Sequence, residues 1–67
     1  MKYTFDETAG FIRGRALSLA YEATRYPATQ KVAAAWVRLA LAWARQYGQA
    51  ALVDDLTRII SRIEGEV

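Results

Sequence analysis

Neither cysteine nor histidine occurs among the 67 residues of this chain. Without thiols there is no disulfide framework, and the two absences together remove nearly every zinc, haem and iron–sulfur ligand set. Burial and self-association are the stabilisers left to so short a chain. Catalysis suffers from the same absences. A nucleophile would have to be Ser18, Ser61, a threonine or a tyrosine with no imidazole base, and the carboxylates fall mostly on polar helix faces beside arginines. Enzymatic activity, a cofactor and a metal are therefore not expected. No phosphate-cradling glycine loop or calcium loop is present either.

Long apolar runs are also missing. Residues 32–44 hold twelve apolar residues around Arg38, short of the ~20 needed to span a bilayer, so no transmembrane segment is expected. The opening Met-Lys-Tyr-Thr-Phe-Asp-Glu has no apolar stretch after its lysine, which predicts no secretory leader, and with the lack of cysteine the expected location is the cytoplasm. Neither sign of charge is in large excess: nine Lys/Arg against seven Asp/Glu give a net charge of +2. That is too little to mark a nucleic-acid binder by itself.

What is present is apolar and helical. Hydrophobic residues make up 54% and charged residues 24%, a globular balance, and the length allows a single domain over residues 1–67 that buries about 60% of its unfolded surface. Thr4-Phe5-Asp6-Glu7 has the spacing of a capping box and predicts a helix start. From there Phe5, Ala9, Ile12, Ala16, Leu19, Ala23 and Tyr26 recur at helical spacing as the core face of a first helix over 5–25. Gly10 and Gly14 inside it point either to close approach of another backbone or to a frayed first turn. Pro27, the only proline, suits the first position of a second helix over 27–47, which Gly48 would end in the left-handed conformation. A third helix over 49–64 has Leu52, Leu56, Ile59, Ile60 and Ile63 as its core face and pairs Asp54 with Arg58. If helices two and three were one rod, their core faces would point oppositely, so the chain should reverse at Gly48, a domain-swapped dimer being the exception. The expected fold class is a small all-α three-helix unit completed by homodimerisation.

Helix two is more apolar than one inward face requires. Val32, Trp36, Leu39, Trp43 and Tyr47 form a large ridge, core or oligomer interface, and Ala33, Val37, Ala40 and Ala44 form a smaller one. Lys31, Arg38 and Arg45, spaced by seven, line one side. Counting levels from Pro27 and Gly48 sets Arg38 beside Arg15 and Arg58 with no acid near, so this stripe is the candidate partner-binding surface for an acidic protein. Aligning Gly48 with the turn glycine of a helix-turn-helix places Gln49, Asp54 and Thr57 where apolar residues belong and sets Asp54 and Asp55 toward phosphates. The Trp36-x2-Leu39-Ala40-x2-Trp43 spacing matches the opening of a tetratricopeptide repeat, but the glycine falls one position late and a single repeat cannot stand alone. The expected function is therefore non-enzymatic: a homodimer that binds and modulates a protein partner, as an inhibitor, adaptor or antitoxin-like regulator. The alternative is a small basic homodimer that binds DNA or RNA.

Overall fold

A computed structural model describes residues 4–65. Its helices are α1 (Phe5–Arg25), α2 (Gln30–Gln46) and α3 (Ala50–Glu64), with a 3-10 turn over Pro27–Thr29, and no strand occurs among the described residues. The all-α three-helix expectation is met.

Local chemistry sets the boundaries. The Glu7 amide donates to Thr4 Oγ1 at 3.1 Å and the Thr4 amide to Glu7 Oε1 at 3.2 Å, closing the capping box at the start of α1. Tyr26, ahead of the proline, adopts an extended backbone (φ −127°, ψ 84°) and ends that helix. The second helix differs from expectation in its first turn: residues 27–29 wind as a 3-10 turn, held by the Thr29 amide and hydroxyl donating to the Tyr26 carbonyl, before regular α geometry begins at Gln30. At its other end Gly48 has φ +64°. There the Gln49 amide donates to the Ala44 carbonyl (2.8 Å) and the Gly48 amide to the Arg45 carbonyl (3.3 Å), the paired bonds of a Schellman cap. The chain reverses as expected.

The up-down-up path follows from two contacts. Phe5 at the start of α1 lies against Trp43 and Tyr47 at the end of α2, and Gln30 at the start of α2 donates to the Ile63 carbonyl at the end of α3 (2.7 Å). That side chain supplies a partner to one of the carbonyls a helix C-terminus leaves free.

Eight of the fifteen core residues are alanines. Leu52, Leu56, Ile59 and Ile63 of α3 supply much of the bulk, packed against Ala9, Ala16, Ala20 and Ala23 of α1 and Ala33, Ala34, Val37, Ala40, Leu41 and Ala44 of α2. Leu19 of α1 adds to this bulk, and the alanines of α1 and α2 that face the large residues allow close helix axes. Two expectations fail at the ends of α1: Phe5 and Tyr26, read as core, are more than half exposed. The interior of the bundle does not reach those end turns.

The glycines of α1 also differ from expectation. A Cβ built on Gly10 or Gly14 meets nothing within 4 Å, so no other part of the described chain approaches them.

Candidate functional site

Ala33, Val37, Ala40 and Ala44 of α2 are buried in the core. The larger ridge is divided: Val32 is 70% and Leu39 73% exposed and Tyr47 is exposed, whereas Trp36 and Trp43 are partly buried and pack against the core. As core, Val32, Leu39 and Tyr47 are therefore corrected, whereas Trp36 and Trp43 pack against the buried cluster. The leucines and isoleucines of α3 fill the interior, so the alanine side of α2 turns fully inward and the two tryptophans close the margin of the core.

This outward face has internal order. Phe5, Trp43 and Tyr47 form a triangle with ring centroids 5.0 to 6.1 Å apart and tilted planes, an arrangement favoured by ring quadrupoles. It fixes Trp43 at one end of the ridge. Ala35 and Ala42, both exposed, lie on the same side beside Leu39. The result is one continuous apolar surface along the helix, with aromatic bulk on one flank and alanines on the other.

The cationic stripe borders the alanine flank. Lys31, Arg38 and Arg45 are all exposed, but Arg38 is not free of carboxylates: its guanidinium Nη2 pairs with Glu64 Oε2 of α3. Level counting misses this because side chains lean toward the N-terminus of their own helix. In an antiparallel pair, Arg38 leans toward the end of α3 while Glu64 leans back toward it, and the offset between their Cα levels closes. Lys31 and Arg45 make no ion pair among the described residues. The stripe thus carries two unpaired cations at its ends and one neutralised cation at its middle.

A second basic surface is not legible in the sequence. Arg13 of α1 donates through Nε to Asp55 Oδ2 of α3 at 2.6 Å, and Arg58 Nη1 lies 3.9 Å from the other carboxylate oxygen. The anticipated Asp54–Arg58 pair is replaced by this Asp55–Arg58 one. With Arg62 these residues line a shallow cavity of about 250 Å³ between α1 and α3. Two of the three guanidiniums, those of Arg13 and Arg58, share one carboxylate there, and all three are partly or fully exposed, so water screens them.

Buried polar side chains are absent from the core of the described residues, so no interior site competes with these surfaces. Among the described residues no helix is long and apolar enough to cross a membrane. Comparison with protein-family models, curated proteins and solved structures finds no match to this chain.

Proposed function

We propose that this protein is a non-catalytic, homodimeric interaction module that binds and modulates another protein, in the manner of an inhibitor, adaptor or antitoxin-like regulator of the cytoplasm. The observation that carries this reading is the outward face of α2. Val32 and Leu39 are exposed at its centre, Trp36 and Trp43 are partly exposed beside them, and Lys31 and Arg45 stand along one flank as cations unpaired among the described residues. An apolar centre with aromatic anchors and a charged rim is the anatomy of a protein interface, and tryptophan and arginine are enriched among the residues that dominate binding energy. The partner that fits has an apolar groove edged by carboxylates, which Lys31 and Arg45 would meet at the rim.

The nucleic-acid alternative is supported less well. Arg38, the middle cation, is already paired with Glu64, which leaves two unpaired cations about 21 Å apart along the helix. Two phosphate contacts give a weak, shallow salt dependence. A flat apolar face between them has no counterpart on a phosphate backbone.

The test is affinity capture from the native host with wild-type protein and with Leu39→Glu, each checked for helicity. The expected result is a protein partner recovered by the wild type and lost by Leu39→Glu, with recovery falling at high salt in an Arg45→Glu variant. Equal recovery by Leu39→Glu refutes the role of this face. Steeply salt-dependent binding to random duplex would favour the alternative.

A further inference from the structure

The side of α1 that faces away from the core carries its own apolar strip. At about 100° per residue, Gly10, Gly14, Leu17 and Tyr21 fall within an arc of about 60° opposite Ala9, Ala16, Ala20 and Ala23, with Phe11 and Ser18 beside them. Phe11 is 73%, Tyr21 69% and Leu17 50% exposed. The two glycines weaken the helix interior in which they sit, and nothing in this chain's own packing uses the space they leave.

Charge identifies what covers this strip. Glu7 and Arg25 lie at the same azimuth at opposite ends of α1, equally far in sequence from Ala16, and Arg15 and Glu22 share one flank. Reversing a copy of the helix about the level of residue 16 sets Glu7 level with Arg25 of the second copy, Phe11 with its Tyr21, and Gly14 with its Ser18. The same operation places Arg15 near Glu22 of the second copy. Their levels are offset, but each side chain leans toward its own N-terminus and closes the gap, as Arg38 and Glu64 do. None of these four charged residues is in an ion pair among the described residues.

Applied to α2 about Leu39, that operation gives the opposite result. Both cationic stripes fall on one flank, and Lys31 lies beside Arg45 of the second copy. One helix is therefore self-complementary in charge and the other self-repelling.

We propose that a second copy of this chain packs on the outward face of α1, antiparallel across a two-fold axis at the level of residue 16, with glycine and serine at the closest approach. This rests on the reading of the protein as a homodimer and assigns that dimer to α1, which leaves the α2 face free for the foreign partner. A single helix pair lies at the small end of specific interfaces, so the dimer should dissociate in the micromolar range.

The test uses the symmetry of the contacts in sedimentation equilibrium. Arg15→Glu sets two carboxylates together across the axis, Glu22→Arg sets two guanidiniums together, and each should weaken the dimer by about tenfold or more with helicity unchanged. An equimolar mixture of the two variants restores both opposite-charge pairs and should return the dimer to near wild-type strength, a result that misfolding cannot produce. Leu39→Glu, which tests the partner face, should dimerise normally. The proposal is overturned by a wild type that stays monomeric up to about 500 µM. It is equally overturned by charge variants that dimerise like wild type, by a mixture no stronger than its components, or by loss of the dimer in Leu39→Glu.

Discussion

Leu39 and Ala40 are neighbours in sequence on opposite sides of α2, so two single substitutions, Leu39→Ala and Ala40→Leu, test its orientation directly. Leu39 is 73% exposed. Burying a whole leucine contributes about 1.5–3 kcal/mol, so the quarter of this one that is covered contributes roughly 0.4–0.8 kcal/mol. Alanine returns about 0.2 kcal/mol through its higher helix propensity. Leu39→Ala should therefore destabilise by about 0.5 kcal/mol or less. Ala40, 7% exposed, sits in the alanine-lined core, where three extra carbons force neighbours off their rotamers at a cost of about 1–3 kcal/mol.

Urea unfolding followed by far-ultraviolet circular dichroism separates the two cases. With a slope of about 1 kcal/mol per molar for a domain this small, Leu39→Ala should move the midpoint by less than about 0.5 M and Ala40→Leu should lower it by about 1–3 M. The calibrating control is Leu56→Ala, a fully buried leucine whose truncation should cost about 2.7–5 kcal/mol. If Leu39→Ala falls as far as Leu56→Ala, then Leu39 is buried in the molecule that exists in solution. The outward assignment of the ridge, and the docking face built on it, would then be wrong.

Three further outcomes follow from the packing. Trp36 is partly buried against the core, so Trp36→Ala should cost about 2–4 kcal/mol in urea unfolding, a little below the 3–5 kcal/mol typical of a fully buried aromatic. Arg38→Glu would set two carboxylates together in place of the Arg38–Glu64 pair and should cost about 1 kcal/mol or less at such exposure; adding Glu64→Arg should recover that loss, as measured by a double-mutant cycle at low salt. Gly48→Ala, at φ +64°, should lower the melting temperature through about 1 kcal/mol or more of backbone strain. Gly14→Ala, where a Cβ meets nothing of this chain within 4 Å, should raise the melting temperature of the dilute monomer through about 0.5–1 kcal/mol, while weakening the proposed dimer at whose closest approach it lies.

Features encoded within a few residues are legible in the sequence alone: the Thr4–Glu7 box, the break before Pro27 and the reversal at Gly48 each act through the backbone beside them. The inward side of α2 is not. Its two apolar ridges share one period, and nothing within α2 itself ranks them. The choice is made by packing with the other helices: Leu52, Leu56, Ile59 and Ile63 of α3 fill the interior, so the alanine ridge turns fully inward and Trp36 and Trp43 pack only at its margin. The Arg38–Glu64 pair escapes for a related reason, since sequence counting fixes Cα levels while ion pairs form between side-chain ends several ångströms along the axis. The same selection that builds the fold also exposes the surface proposed to bind a partner. Turning alanines inward lets three short helices close around the bulk of α3, and it necessarily leaves Val32, Leu39 and the outer edges of Trp36 and Trp43 in water. Apolar surface of that kind is costly to leave bare. The cations along its border set what can relieve that cost: a second α2 would bring Lys31 against Arg45, whereas a carboxylate-edged protein would meet both.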